Sequence, residues 1–326
     1  MKRVWRILLV LVVLLLVVLA GGYLYLSTFL PRVEAPDITV EVTPDRIERG
    51  AYLFNHAAAC IDCHSQRNDN LFGHPLQEGT VGMGGHEWQM PFGVLRSPNI
   101  TPAAIGDWTD GELYRAIVSG VNADGDALFP LMPWPNYAKM SREDIYSIIA
   151  YMKTLEPIEN EVPDSEISFP LSLIMNTMPT EPDHQPIPDK DDLVAYGKYV
   201  VTVSSCSDCH TPMDDRGQFM MDQYMAGGNP FPQPTGGAAI SMNITPHPNG
   251  IGDMSEAEFI HLFKMYSDSA YVHKPVGNGD FNSEMPWLYY AEMDTLDIKA
   301  MYAYLMSLEP IDKKHDRYDP EWTAAK

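Results

Sequence analysis

The chain has 326 residues, and its 44 aspartates and glutamates outnumber 22 lysines and arginines, which gives a formal net charge of −22. Without the three basic residues of its first six positions, the remainder carries −25. Such a surface repels nucleic acid and anionic headgroups, so the composition argues against a nucleic-acid-binding protein and favours basic partners. The acidic residues are spread along the chain, so general solubility, or life in high salt, is an equally good explanation of the charge.

The N-terminus predicts a membrane-spanning helix. After the basic start, residues 7–30 carry no charge, and 24 helical residues span about 36 Å, enough for a hydrocarbon core of roughly 30 Å. The basic start puts the N-terminus in the cytoplasm and everything after Pro31 outside. We therefore predict an anchor over residues 1–31. A signal peptide cleaved before Gly21 is the alternative, but the apolar run continues well beyond that position.

Every cysteine of the chain belongs to one of two C-x-x-C-H motifs, at residues 60–64 and 206–210. This motif is typical of c-type haem attachment, because two thiols add across the two vinyl groups of one haem and the adjacent histidine can bind the iron. The motifs predict two covalently bound haem c groups, each with one proximal histidine. The attaching residues and proximal ligands are Cys60, Cys63 and His64 in the first motif, and Cys206, Cys209 and His210 in the second.

Two other sites also use paired cysteines. A zinc site with four thiolates is one of them, but its cysteine pairs usually stand about 15–20 residues apart, and zinc gives no reason for the two histidines. A thioredoxin-like redox pair is the other, and it requires a βαβ context that the sequence lacks. Covalent haem is the favoured interpretation.

Further segments recur in the same order in both halves of the chain. They are 49–52 and 196–199, 97–102 and 241–246, 132–134 and 285–287, and 155–158 and 308–311. The repeat predicts two homologous domains. We place these domains at 41–160 and 190–312, with a proline-rich linker at 161–189 and a tail at 313–326.

The helical patterns also recur. Residues 46–59 and 193–205 are predicted to form helices that lead into the two motifs. Capping boxes beginning at Thr109 and Ser255 start the middle helices, and the final helices begin near Ser141 and Asp294 and end before Glu-Pro. No segment alternates convincingly as a strand, so we predict an all-α fold. Long loops rich in glycine and proline separate the helices, and a bound haem would supply their missing core.

The distal iron ligand decides between an electron carrier and an enzyme, because thioether ligation opposite histidine suits electron transfer, whereas an open iron binds peroxide or oxygen. Met132 and Met285 begin matching Met-Pro-Trp segments, and we predict them as the distal ligands. Met140 and Met293 also recur, but their place before the final helix is typical of a hydrophobic staple, so they are the second choice. The remaining histidines do not recur between the halves. Those that deserve testing are His86, His261 and His273.

In these features the chain resembles a diheme class I cytochrome c and is similar to the cytochrome subunits of membrane-bound alcohol and gluconate dehydrogenases. Those subunits carry C-x-x-C-H, then S-P-N-I-T-P, then M-P-Y-P-x-Y-A-x-M and a final helix. This sequence has residues 97–102 and 132–140 in the same order, and the resemblance covers residues 45–311. Those subunits typically have three haems and a C-terminal membrane-binding tail, whereas this chain has two motifs and an N-terminal apolar segment.

The resemblance implies two tandem class I cytochrome c domains, with Met132 and Met285 as distal ligands. It also implies that Asn99 and Asn243 bind the cofactor, near the haem propionates. A glycine in each half is expected where the first helix crosses the last, beside an aromatic residue. These pairs are Gly50 with Tyr151 and Gly197 with Tyr304.

We therefore predict a membrane-anchored diheme cytochrome of the bacterial cytoplasmic membrane, with its haem domains in the periplasm. It would be a respiratory-chain electron carrier rather than an enzyme, acting between a dehydrogenase or quinol-linked donor and a terminal acceptor. The expected partners are a dehydrogenase, an oxidase or a small cytochrome with a basic docking face. The alternatives are a diheme peroxidase-like enzyme with one open iron, and a redox-inert metal-binding protein.

Overall fold

The structure, a computed structural model, describes residues 2–323. Its first element is the 27-residue helix α1, Lys2–Thr28, none of whose residues is buried. The mean hydropathy of its most apolar window is 3.1, and it is the one helix among the described residues that is long and apolar enough to cross a membrane. The apolar N-terminal segment is therefore a candidate membrane span that stands apart from the core.

The first half of the remaining chain has helices on either side of one hairpin. The helices are α2 (Pro44–Tyr52), α3 (Cys60–Cys63), α4 (Pro102–Ile105), α5 (Asp110–Ser119), α6 (Trp134–Tyr137) and α7 (Arg142–Met152). A π-helical turn, Leu53–Ala57, continues α2 towards α3. The strands are β1 (Glu87–Met90) and β2 (Gly93–Arg96). The helix predicted at 46–59 therefore forms, with a change of winding in its second part.

The second half repeats this order of elements. Between the halves lie β3 (Glu166–Ile167), the short helix α8 (Leu171–Ile174) and a 3₁₀ turn, Met175–Thr177. The helices that follow are α9 (Leu193–Val203), α10 (Cys206–His210), α11 (Glu256–Lys264), α12 (Trp287–Tyr290) and α13 (Thr295–Met306), with a further 3₁₀ turn at Met221–Gln223. The strands are β4 (Pro230–Pro232), β5 (Ala238–Ile240) and β6 (Tyr318–Asp319).

Two small antiparallel sheets, which the predicted all-α fold did not include, are added to the helices. Their strand orders are β1-β2-β3 and β4-β5-β6. The outer strands β3 and β6 come from the linker and the C-terminal tail, and each has two residues. Strands of two to four residues are too short to show an alternating pattern. About 39% of the chain is helical and 8% is in strands, so the protein is mainly helical rather than all-α.

Glycines allow the first and last helices of each half to touch. A Cβ atom on Gly50 would lie 1.9 Å from the carbonyl oxygen of Ser147 in α7, and one on Gly197 would lie 1.8 Å from that of Ala300 in α13. Only glycine permits backbones to approach so closely. The crossings implied by the resemblance are therefore confirmed, and the Cβ atoms of Tyr151 and Tyr304 lie beside them.

The two halves pack against each other through one continuous hydrophobic core and through two reciprocal hydrogen bonds. Asp144 at the start of α7 is buried and accepts a hydrogen bond of 2.6 Å from Tyr199 of the other half. Asp297 of α13 is also buried and accepts one of 2.6 Å from Tyr52. The tyrosines hold matching positions in the repeat, as do the aspartates, so each half supplies one hydroxyl to the other.

Each of these buried carboxylates also binds a side chain from its own half. Arg49 donates to both oxygens of Asp144, at 2.8 and 2.9 Å. At the matching position Tyr196 donates to Asp297 at 2.7 Å. Buried carboxylates are costly unless they are hydrogen-bonded, and these contacts satisfy them. The interface thus fixes the first and last helices of both halves relative to one another.

Candidate functional site

Both C-x-x-C-H motifs form a single helical turn entered from a strained residue. Ala59 precedes α3 with φ 48°, and Ser205 precedes α10 with φ 51°. Non-glycine residues in this left-handed region cost roughly 1 kcal/mol or more, and such strain is concentrated at functional sites. The same strain at the same position of both motifs indicates that the tight turn is required at both.

The four cysteines form neither a disulfide nor a metal cluster. All are free, and within residues 2–323 no three His, Cys, Asp or Glu side chains converge as metal ligands. Cys206 is buried, Cys60 and Cys63 are half-buried and Cys209 is exposed; the protein atoms packed around each thiol disfavour the thiolate and raise its pKa to about 12. The described residues thus bring no zinc-like set of ligands together, which disfavours the zinc alternative on geometry.

The motif histidines are neutral and oriented by backbone carbonyls. His64 Nδ1 lies 2.9 Å from the carbonyl oxygen of Pro98, and His210 Nδ1 lies 2.7 Å from that of Met242. A carbonyl only accepts, so Nδ1 carries the proton and Nε2 keeps its lone pair. Burial lowers the pKa of both histidines, which favours the neutral imidazole that binds metals.

Asn99, expected near a cofactor, lies in the wall of a large cavity and uses its side chain to hold the backbone. Its amide nitrogen donates to the carbonyls of Ile158 at 2.8 Å and Asn160 at 3.3 Å. Its oxygen accepts from the backbone nitrogen and hydroxyl of Thr101, at 2.9 and 2.8 Å. Both donors and the oxygen are therefore occupied. Because Asn99 follows Pro98, this clamp fixes the carbonyl that orients the first histidine.

The second half contains the same clamp. Asn243 follows Met242, whose carbonyl accepts from the second histidine. Its amide donates to Ile311 and Lys313, at 2.8 and 3.0 Å, and its oxygen accepts twice from Thr245, at 2.9 and 2.8 Å. The repeated S-x-N-I-T-P segment thus binds the chain that follows each final helix.

A cavity of about 3450 Å³ extends through both halves and reaches all six residues of the two haem motifs named above. Ordinary ligand pockets measure about 300–1,000 Å³, so this one is several times larger. Met132 and Met285 lie in its wall. Met140 and Met293 are completely buried in the core and are not among the described lining residues.

The three non-recurring histidines lie in different surroundings. His86 lines the cavity, its Nε2 lies 2.8 Å from Arg67 Nη2, and its ring packs edge-on against Trp88. Burial and the Arg67 charge lower the pKa of His86 to about 4. His261 and His273 are exposed and are not among the described residues that line the cavity.

A buried charged cluster, which sequence reasoning missed, lies beside the first motif. Arg67 binds Asp62 at 3.0 Å, and His74 binds Asp69 at 2.8 Å. His74 also approaches Glu284 of the other half, at 3.5 Å, and Glu284 precedes Met285. Asp62 recurs as Asp208 of the second motif, but Arg67, His74 and Glu284 have no charged counterpart in the other half, so the repeat did not reveal the cluster.

The two motifs also lie near each other. Asn136, close to the first methionine segment, donates to Asp208 inside the second motif at 2.8 Å. Beyond the effect of burial, Asp208 and Cys206 raise the pKa of Cys209, and Cys63 of the other half adds to this increase. The cavity wall therefore brings the thiols of both halves within electrostatic reach of one another.

Comparison with known proteins supports the resemblance, although no family model matches the chain. The chain is 30% identical over 299 residues to the cytochrome c subunit of alcohol dehydrogenase (quinone) from Gluconacetobacter polyoxogenes, which covers 85% of this chain and 59% of that subunit. It is 34% identical over 178 residues to the gluconate 2-dehydrogenase cytochrome c subunit of Pantoea cypripedii, covering 51% and 38%. The chain is a homologue of dehydrogenase cytochrome c subunits.

A shorter relative matches the length of this cytochrome homologue better. The diheme cytochrome c-type protein of Cereibacter sphaeroides is 27% identical over 249 residues, which are 72% of this chain and 78% of that protein. By contrast, the chain spans little more than half the length of the alcohol dehydrogenase subunit. These relatives imply haem c as the cofactor and support a role in electron transfer.

Proposed function

We propose that this cytochrome homologue is a membrane-anchored, periplasmic electron carrier with two covalently bound haem c groups. The observation that carries the proposal is the pair of strained C-x-x-C-H turns, which open into one large cavity and whose neutral histidines keep Nε2 unprotonated. Haem bound there would supply an iron that alternates between two oxidation states. The protein would bind it, set the ligands and exclude water.

The proposed ligand sets follow the repeat. Cys60 and Cys63 would hold one haem and Cys206 and Cys209 the other, with His64 and His210 as proximal ligands. We propose Met132 and Met285 as distal ligands, since both line the cavity whereas Met140 and Met293 are core residues. Asn99 and Asn243 also line the cavity, so we keep them as proposed cofactor-binding residues and add a positioning role for the loops that they hold.

Two tyrosines support close approach of the haem sites. Burial raises the pKa of Tyr137 far above its usual value, and Cys60, Cys63 and Asp208 add to the increase. The matching Tyr290 is affected by burial, and then by Cys206 and Cys209. Asp208 belongs to the second half, and Tyr137 and Asp62 of the first half also raise the pKa of Tyr290, so each ring lies within electrostatic reach of both halves. We propose that the two sites act as one wire, with electrons passing between the halves.

The proposed arrangement comprises the anchor at 1–31, cytochrome domains at 41–160 and 190–312, the linker at 161–189 and the tail at 313–326. The candidate span α1 supports attachment to the cytoplasmic membrane, and its basic start supports export of the rest. The relatives are named as subunits of dehydrogenases, so we propose a dehydrogenase as electron donor. The acidic surface favours a basic acceptor such as a small cytochrome.

Mass spectrometry of the denatured protein tests the cofactor. We expect an excess of two haem masses, and loss of one haem mass in each double variant, Cys60→Ala/Cys63→Ala and Cys206→Ala/Cys209→Ala. Four alkylatable thiols and bound zinc would refute the proposal.

Stopped-flow reduction of a basic cytochrome at increasing salt tests the partner. The rate should fall as salt rises, because screening shortens the reach of surface charge to about 10 Å at 0.1 M. A rate independent of salt would mean that the acidity serves solubility. Rapid peroxide turnover without a partner would instead indicate the peroxidase-like enzyme.

A further inference from the structure

We propose that residues 169–178 of the linker, here named the interfacial segment, form a second membrane contact. In this proposal the segment lies in the outer headgroup region of a phospholipid bilayer, beside the end of α1, and holds the first half of the cavity at the membrane surface. The inference rests on the proposed membrane anchor and adds to it a fixed orientation of the haem-bearing part.

The depth of the segment follows from its hydrogen bond to α1. The apolar run of the helix begins at Ile7, and Leu26 lies 19 residues later, which is about 29 Å along a helix and close to the roughly 30 Å of a hydrocarbon core. The Leu26 carbonyl is one of the last four of α1, which have no partner in a continuing helix. It accepts from Asn176 Nδ2 at 3.0 Å.

This bond is worth more in a membrane than in water. An unpaired backbone carbonyl in or next to hydrocarbon costs several kcal/mol, because no water is there to bind it. Asn176 therefore satisfies the end of α1 at the depth where hydrocarbon gives way to headgroups. Both α8 and the 3₁₀ turn that contains Asn176 contact α1, so the interfacial segment continues directly from the anchor.

The outward side of the segment is apolar and uncovered. Phe169 is 73% exposed and Ile174 is 46% exposed. Residues 167–180 contain no charged side chain, in a protein in which one residue in five is charged. An acidic surface is repelled by anionic headgroups, so this neutral stretch is where the protein can meet lipid. Apolar side chains that project from a protein surface in this way can enter the boundary between headgroups and acyl chains.

The end of α1 carries the side chains that membrane interfaces favour. Tyr25 stacks on Phe29 at 6.0 Å, and the guanidinium of Arg32 lies 5.3 Å from the Tyr25 ring. Aromatic and basic residues are enriched at this level of membrane proteins. The aromatic end of the helix and the apolar side of the segment would thus form one continuous interfacial surface.

The inward side of the segment belongs to the cavity. Met175 is only 6% exposed, and Ser172, Met175 and Asn176 line the cavity wall. One short stretch of chain therefore separates the bilayer from the cavity. If lipid covers the outer side of the segment, only the thickness of this segment separates the first haem site from the membrane. The site then keeps a fixed position at the membrane surface and does not move freely on a tether.

Collision measurements on spin-labelled protein test this contact. Single cysteines replace Phe169 or Ile174 in the full-length protein, which is labelled with a nitroxide and incorporated into phosphatidylcholine nanodiscs. Val272→Cys is the matched control, because Val272 is also apolar and is 74% exposed in the second half. Molecular oxygen concentrates in hydrocarbon, whereas a nickel chelate stays in water. The ratio of their collision rates with the nitroxide therefore reports whether the label lies in lipid or in water. Each collision rate is taken as a difference from the nitrogen-purged sample, which removes the relaxation due to haem.

We expect an oxygen-to-nickel ratio several-fold higher at 169 and at 174 than at 272. Equal ratios at all three positions would overturn the inference, and so would protection of 169 from both reagents, because that result means that protein covers the segment. Failure to enter nanodiscs would instead refute the anchor. Labelling of more than one thiol per chain would refute covalent haem, so these failures are distinguishable.

Discussion

Met132 and Met140 are close in sequence but lie in different surroundings, because one lines the cavity and the other is fully buried in the core. Met132→Ala should abolish the far-red sulfur-to-iron absorption of one haem and open that iron to carbon monoxide, since it removes the proposed distal ligand. Met285→Ala should do the same for the other haem. Absorption spectra and carbon monoxide titration provide the measurement.

The matched variant of the first methionine is Met140→Ala. It should keep both absorption features but lower the free energy of unfolding by about 2–5 kcal/mol, the usual cost of truncating a buried methionine. The reverse pattern, with ligation lost in Met140→Ala and kept in Met132→Ala, would assign the distal role to the core methionine.

The asparagine clamps predict a change in haem potential. Asn99→Ala frees the loop that ends in the Pro98 carbonyl and so weakens its hydrogen bond with His64. That bond raises the basicity of the ligand, so its loss should favour the reduced iron and raise the potential of the first haem. Spectroelectrochemical titration should show one potential shifted and the other unchanged, and Asn243→Ala should reverse the assignment. If neither variant changes a haem potential, the asparagine clamps stabilise the loops but do not tune the iron.

At this scale, the sequence predicts residues whose partners are local or repeated. The haem motifs follow from spacing, and the choice of methionine follows from the repeat. The role of Asn99 could not be predicted, because its partners Ile158 and Asn160 are bound through backbone carbonyls about 60 residues away. Every residue has a backbone carbonyl, so the sequence does not show which carbonyl a side chain will bind.

The crossing of the first and last helices leaves no room for a larger residue at its glycine. Gly50→Ala and Gly197→Ala each place a methyl group within 2 Å of a backbone oxygen, so the helices must separate. We expect each variant to lose about 3 kcal/mol or more of unfolding free energy. Gly277→Ala is the control, since its added Cβ would meet only the flexible Asp280 side chain, at 3.3 Å. Thermal unfolding followed through haem absorbance would measure all three, and similar midpoints would contradict the close crossing.

The elements themselves show which signals are local. Both predicted capping boxes form, with Thr109 bound reciprocally to Glu112 and Ser255 to Glu258. The two sheets could not be predicted, because each depends on pairing a hairpin with a strand from the linker or the tail. For example, Val94 of β2 pairs with Glu166 of β3. Such pairings join segments far apart in sequence that have no strand pattern of their own.

The packing of the two halves against each other is a property of the whole molecule that the sequence repeat does not predict. The same order of segments in both halves is equally compatible with two independent domains and with the reciprocal tyrosine–aspartate contacts found here. Nothing in the sequence distinguishes Tyr52 from other helical residues, but in the structure its hydroxyl lies 2.6 Å from a carboxylate oxygen of Asp297. The sequence therefore predicts the halves better than it predicts their arrangement.

The contact between His74 and Glu284 makes the association of the halves depend on pH. Burial by itself would lower the pKa of His74, but the hydrogen bond with Asp69 and the Glu284 carboxylate 3.5 Å away outweigh it and raise the pKa to about 9, against the opposing charge of Arg67. The nearby His86 is held neutral by its lowered pKa. The folded protein therefore favours protonated His74, whose ordinary pKa is about 6.5.

The sign of the effect follows from this raised pKa. The stability contributed by His74 is fully present below pH 6.5 or so and is lost as the pH rises through about 9. His74→Gln should therefore lower the free energy of unfolding by about 1–3 kcal/mol at pH 6 and by much less at pH 10. His273→Gln, at an exposed position, should change neither value. Denaturant unfolding of the detergent-solubilised haem protein at both pH values would measure the difference. An equal loss at pH 6 and pH 10 would show that His74 stabilises the interface by packing and not by its charge.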